Sequence, residues 1–250
     1  MGIDHPILLG VLATIGTGLA TGVGALPVLF TRNVSDRLLD GMLGFAAGVM
    51  LAATAFSLLV PAIELGGVWV TIVGVIAGAL FLDAADRMIP HMHFVSGREG
   101  PSSTWRRVWL LILAITLHNF PEGLAVGVSF GSGDITSATI VAIAIGLQNM
   151  PEGLAVALPL VRERYSRWRA LGYAAASGLA EPIAGLIGVG AVHLARPFLP
   201  FALAFAAGAM LFVVSDEIIP ETHRRGYERV GTGGVILGFV LMMFLDNVFS

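Results

Sequence analysis

The chain has 250 residues, no cysteine and no lysine, and only 12% of it is charged. Without cysteine there are no disulfides, thiolate metal sites or iron–sulfur clusters. Any metal must be held by His, Met, carboxylate, amide or backbone oxygen. Soluble domains carry about 25% charged residues. With 56% hydrophobic residues and a mean hydropathy of +0.86, this composition is that of an integral membrane protein. There is no nucleotide-binding motif, so ATP hydrolysis is not expected to drive anything here. An intramembrane metalloprotease needs HExxH on one helix face, but His118 is followed by Asn119, so no enzyme activity is expected. The first six residues offer Asp4 and His5 but no basic n-region, so the first apolar run is expected to be a retained span.

A bilayer core of about 30 Å needs about 20 helical residues. Eight runs qualify: 7–30, 38–60, 67–89, 106–130, 135–160, 168–193, 197–219 and 231–249. None alternates as a barrel strand would, and backbone groups in lipid must be satisfied internally. The expected fold is therefore an all-α integral membrane protein of eight transmembrane helices, with residues 1–250 forming a single transmembrane domain. The connecting loops leave no room for a separate soluble domain, and no nucleic-acid partner is expected.

All 14 basic residues are arginine, and 13 of them fall in loops on one side. Only Arg196 lies on the other. The positive-inside rule puts the arginine-rich loops in the cytoplasm and both termini outside. The expected location is the cell (inner) membrane, with the lipid bilayer as the surrounding partner.

Phe45-Ala46-Ala47-Gly48 recurs as Phe205-Ala206-Ala207-Gly208, an offset of 160. Met50, Leu51, Gly74, Val75, Ile76, Gly78 and Asp86 all recur at the same offset. Spans one to three thus repeat as spans six to eight. Five crossings separate the copies, so the repeats are inverted, an architecture of transporters with a midplane site. Chance likeness between Gly/Ala-rich helices is the competing explanation. The 32 glycines suit close helix packing.

Two polar motifs lie inside apolar runs: His118-Asn119-Phe120-Pro121-Glu122-Gly123 and Gln148-Asn149-Met150-Pro151-Glu152-Gly153. On a helix His118 and Glu122 are i,i+4 neighbours, as are Gln148 and Glu152. At about 1.5 Å per residue, His118, Glu152 and Glu181 all lie roughly 15–18 Å from the arginine-rich surface. Three carboxylates and a histidine therefore converge near the midplane. Each isolated charge there costs about 2.5–3.5 kcal/mol, so protons or a bound cation must balance them. Pro121 and Pro151 free the carbonyls of Leu117 and Leu147 and are expected to kink their helices. Gly123 and Gly153 permit close approach. An interhelical hydrogen-bond cluster is the bland alternative, but a duplicated motif with three Glu favours a divalent-cation site.

At these residues the chain resembles the ZIP (Zrt/Irt-like) family of divalent-metal transporters, in its bacterial GufA-like branch. The likeness covers all eight spans. It implies a 3+2+3 arrangement, with spans four and five between the repeats, and uptake of Zn²⁺ toward the cytoplasm. The ligand set is consistent with Zn²⁺ as substrate, Cd²⁺ as a surrogate, and iron and manganese as further ions. The resemblance also suggests a homodimer. It implies a two-metal site: His118, Glu122, Gln148 and Glu152 at the first position, with Met50 added. Asn119, Asn149 and Glu181, with Glu122 and Glu152 bridging, make the second. Asn149 stands where some relatives place Asp, which weakens that second position.

Ser57 and Glu64, toward the outer end of span two, and Asp246, at the outer end of span eight, are expected to line an entrance that attracts cations. Ordinary helix-end roles compete with that reading. Asp83, Asp86, His91, His93 and Glu217 are expected to form an exit relay. His91-Met92-His93 is a short version of the family's His-rich loop. Moving two charges down 100 mV yields about 4.6 kcal/mol. Alternating access of the repeat bundles is the expected mechanism; a metal-gated channel and a metal-free proton-coupled transporter are the alternatives.

Overall fold

The computed structural model describes residues 5–31, 33–93, 97–99 and 107–249. Apart from a two-stranded ribbon, β1 (His91–His93) and β2 (Gly97–Glu99), the described chain is helical. The helices are α1 (His5–Ala25), α2 (Asp36–Ala52), α3 (Val60–Met88), α4 (Arg107–Ser132), α5 (Ile135–Arg162), α6 (Arg167–Ser177), α7 (Ala180–Leu194), α8 (Leu199–Val213), α9 (Ile219–Thr222) and α10 (Glu228–Phe249). Among the described residues, six segments are long and apolar enough to cross a bilayer: Pro6–Leu29, Asp36–Met88, Ile135–Arg162, Arg167–Leu194, Arg196–Thr222 and Glu228–Val248. Large apolar side chains such as Trp69, Leu80, Leu186 and Phe244 face outward on these helices, as lipid requires. The chain is a helical integral membrane protein.

Local chemistry starts and breaks the helices. The Ser35 hydroxyl caps α2 by accepting from Leu38 N at 3.2 Å, and Asp134 caps α5 by accepting from Ser137 N at 3.1 Å. Asp36–Met88, at 53 residues, is far longer than one crossing needs. It breaks at Gly67, whose φ of +76° only glycine adopts readily. Wide π turns occupy 53–59 and 214–218. A proline follows each, Pro61 and Pro220, and its missing N–H cannot bond back into the preceding turn. α4 and α5 stay helical through Pro121 and Pro151.

The helices sort into two groups. α2 packs along α10, and α3 along α8. α1 packs along α5, and α4 along α7. α1, α4, α5, α6 and α7 form one group and α2, α3, α8 and α10 the other, meeting mainly through α2–α5 and α4–α8. Inside the second group, glycines let backbones touch, and each contact occurs twice at an offset of 160. Gly48 lies against the Val235 carbonyl, and Gly208 against that of Val75. Gly78 lies against the Phe205 carbonyl, and Gly238 against that of Phe45. A side chain at any of these four positions would overlap main chain. In the first group Gly18 and Gly178, themselves 160 apart, lie against each other's carbonyls.

Candidate metal site

α4 carries His118, Asn119 and Glu122 inward, and α5 carries Gln148, Asn149 and Glu152. α7 adds Glu181 in its first turn, just past a helix break at Gly178-Leu179. Gly123 lies against the main chain of Glu181, and Gly153 against the Thr21 carbonyl. The glycine after each Pro-Glu pair thus lets α7 and α1 close directly onto the polar motifs. Asn119, Glu122, Gln148, Asn149 and Glu181 have no exposed surface, and His118 and Glu152 are each 6% exposed.

His118 Nε2 lies 3.7 Å from Glu122 Oε1 and 3.4 Å from Glu152 Oε1. One donor atom from each of the three residues falls within 4.8 Å of the others. Tetrahedral zinc ligands at 2.0–2.1 Å from the ion lie about 3.3–3.4 Å from one another. The two distances to His118 are already within a few tenths of an ångström of that separation, and the two carboxylates lie within 4.8 Å of each other. Gln148 Nε2 donates to Glu122 Oε1 at 2.5 Å and holds that carboxylate in place.

Nine buried atoms of the cluster have no hydrogen-bond partner among the described residues. They are His118 Nε2, Asn119 Oδ1 and Nδ2, Glu122 Oε2, Gln148 Oε1, Asn149 Oδ1, both oxygens of Glu152, and Glu181 Oε2. Each such atom costs about 1–3 kcal/mol if left unmatched. Eight of the nine carry lone pairs, the exception being the Asn119 amide nitrogen. The donor set fits a borderline divalent cation.

Asn149 Nδ2 donates to Glu181 Oε1 at 2.7 Å and to the Thr17 carbonyl at 2.9 Å. Its amide therefore ties α7 and α1 to α5 while its Oδ1 remains unmatched. Met50 is wholly buried in the core that also holds Leu124 and Ala125, which directly follow the first motif.

Glu217 lies on the π turn after α8, with its Oε2 3.6 Å from His118 Nδ1. A metal-binding histidine commonly directs its second ring nitrogen at a carboxylate, which fixes the tautomer. The sequence assigned Glu217 to an exit relay. Its place beside His118 follows from the contact of α4 with α8, which sequence spacing does not encode.

Ser57 Oγ donates to Asp246 Oδ1 at 2.5 Å, joining two residues expected at the entrance. A cavity of about 470 Å³ is lined by Ser57, Glu64, Ser129, Asp134 and Ser137, among others. Asp83 pairs with Arg87 at 2.8 Å on an exposed helix face, and Asp86 is half-buried. The side chains of His91 and His93 lie outside the described residues.

Residues 96–246 match the family profile described as ZIP Zinc transporter. Over 241 residues the chain is 47% identical to "Zinc transporter ZIPB" of Bordetella bronchiseptica, covering 91% of this chain and 77% of that protein. It is 44% identical to "Zinc transporter GufA" of Myxococcus xanthus, over 95% of this chain and 97% of that protein. With "Zinc transporter ZIP11" of Homo sapiens the identity is 41%, over 96% of both.

Proposed function

Because the chain belongs to the ZIP zinc transporter family, with a GufA-like relationship, we propose that it carries zinc across the membrane through the His118–Glu122–Glu152 cluster. The observation that carries this reading is the convergence of three donor atoms within 4.8 Å, buried among unmatched lone pairs. Zinc is the substrate, and cadmium, iron and manganese fit the same ligands. Net movement is inward, toward the arginine-rich side, which faces the cytoplasm with both termini outside in the cell (inner) membrane. A homodimer belongs to the same family-based reading.

The first metal position is His118, Glu122, Gln148 and Glu152, with Met50 adjoining. The second is Asn119, Asn149 and Glu181, bridged by Glu122 and Glu152. Because Asn149 spends its NH₂ group on Glu181 and Thr17, the second position is the weaker. Ser57, Glu64 and Asp246 serve the entrance, and Asp83, Asp86, His91 and His93 the exit. Glu217 acts on His118 directly.

Dividing Asp36–Met88 at Gly67 and adding α4 gives eight spans in a 3+2+3 order. The glycine contacts duplicated at an offset of 160 support inverted repeats. The segregation of site-bearing helices from α2, α3, α8 and α10 supports alternating access, with one group sliding against the other. The resulting mobile unit includes α1, α6 and α7 as well as the α4–α5 pair.

The test is uptake of Zn²⁺ and Cd²⁺ by proteoliposomes of the wild type and Glu152→Ala. Saturable uptake, abolished by the substitution, is expected. Uptake that never saturates points to a channel. Uptake unchanged in Glu152→Ala removes the site assignment.

A further inference from the structure

Four residues after Glu217 along the chain, toward the arginine-rich end, comes Glu221 in α9. Opposite, one turn into α2, stands Asp40, with no exposed surface. Arg225 lies between them, in a turn completed by Gly226 at φ +85°. Its Nη1 donates to Asp40 Oδ1 at 2.6 Å, and its Nη2 pairs with Glu221. Asp40 Oδ2 is sealed from solvent and has no hydrogen-bond partner among the described residues.

An arginine that serves only to neutralise a buried carboxylate commonly engages both of its oxygens in a fork. Here one guanidinium is shared between two carboxylates from different helices. Asp40 keeps a spare buried oxygen. Arg225 itself is 18% exposed on its side chain, so its long stem can carry the guanidinium out to water. Asp40, anchored in α2, stays where it is.

We propose that Asp40 and Glu221 form a second station for a divalent cation, which Arg225 fills as a tethered counter-ion until the cation displaces it. This rests on the transport reading and supplies its route. The ion passes from the central cluster, past Glu217 beside His118, to Glu221 and Asp40 at the arginine-rich mouth. Oxygen ligands alone make this station looser than the histidine-bearing cluster above it, as suits release. Arg225 keeps the mouth closed when no ion is there.

The experiment compares wild type, Arg225→Gln, Arg225→Lys and Arg225→Gln/Asp40→Asn as purified proteins. Bound Cd²⁺ is counted by equilibrium dialysis, and thermal unfolding is recorded in chelator and in Cd²⁺. Arg225→Gln should fill the station at lower Cd²⁺ than wild type, where the guanidinium must first be displaced, and so bind up to one more Cd²⁺ per chain at metal concentrations that saturate only the central cluster. Its melting temperature, lowered in chelator by the unbalanced Asp40, should recover in Cd²⁺. The double variant should lose both the extra ion and the recovery, and Arg225→Lys should keep the wild-type stoichiometry. As a check that needs no loss of Arg225, Glu221→Cys introduces the sole thiol in the chain. Cd²⁺ should slow its reaction with a maleimide several-fold, but not when Asp40→Asn is added. Wild-type stoichiometry in Arg225→Gln, with no recovery in Cd²⁺ and no protection of Glu221→Cys, makes the cluster a structural staple and overturns the station. Absence of zinc uptake by wild-type proteoliposomes overturns the transport reading instead.

Discussion

Gly146 and Gly153 occupy the same helix, seven residues apart, and substituting alanine at each should have opposite effects. Replacing glycine by alanine inside a helix gains about 0.8–1.0 kcal/mol from backbone propensity alone. At Gly146 the new methyl would meet only Ala20 Cβ and Thr17 Cγ2, both at 3.9 Å, which is ordinary contact. Gly146→Ala should therefore stabilise by up to about 1 kcal/mol. At Gly153 the methyl would run into the Thr21 carbonyl, main chain that cannot rotate aside. Overpacking costs about 1–3 kcal/mol, and a rigid neighbour puts this case in the upper part of that range. Set against the propensity gain, Gly153→Ala should lose about 1–2 kcal/mol. The two variants should differ by about 2–3 kcal/mol, or roughly 5–10 °C in melting temperature for a chain of this size. Thermal unfolding in detergent measures this directly. Zinc uptake should fall in Gly153→Ala alone, because pushing α1 away stretches the 2.9 Å bond from Asn149 to Thr17. Equal melting temperatures for the two variants would refute the close approach of α1 to the second polar motif.

Three further outcomes are expected. Glu217→Gln should lower zinc affinity or uptake by about 10–100-fold, the usual cost of losing a carboxylate behind a metal-binding histidine; titration of Zn²⁺ binding reads it. Asn149→Asp should destabilise the metal-free protein by setting a second carboxylate 2.7 Å from Glu181, and should raise bound Zn²⁺ toward two per chain in equilibrium dialysis. Asp134→Ala should cost about 1 kcal/mol through the lost α5 cap. Its hydrogen bonds from the Ser137 hydroxyl and backbone hold the Asp134 carboxyl below the usual range. Its contribution is therefore complete above the ordinary aspartate pKa and is lost as pH falls through the lowered one. Unfolding curves of wild type and variant should thus differ in mildly acidic buffer and converge only in strongly acidic buffer.

The spans and the two Pro-Glu-Gly motifs were legible in the sequence because both are local. Length and hydropathy define a crossing, and i,i+4 spacing puts His118 beside Glu122 whatever surrounds them. The gap read between the second and third runs ends at residue 67, where the long helix breaks; that a glycine at positive φ makes the break was not read. The interruption at Gly178-Leu179 was missed, although Glu181 and Pro182 follow it: Pro182 has no N–H to bond back to the Gly178 carbonyl, and backbone contact with Gly18 accompanies the break. Counting residues from the arginines placed Glu217 along an exit route, and could not reveal which helix it faced. The π turn at 214–218 alters the angular register there, so a 3.6-residue wheel mis-aims every side chain beyond it. Asp40 and Arg225 escaped notice for a similar reason. Their meeting depends on the turn at Gly226 folding back across 185 residues of chain.

The touching pair Gly18 and Gly178 has a mechanical meaning. Both residues belong to the site-bearing group, one in α1 and the other at the break before α7. If that group slides against α2, α3, α8 and α10, the contact travels with it unbroken. Bulk added at Gly18 or Gly178 would then burden both forms alike. It would weaken the protein as a whole while leaving the ratio of the two forms unchanged, which marks a rivet inside the moving group rather than a latch.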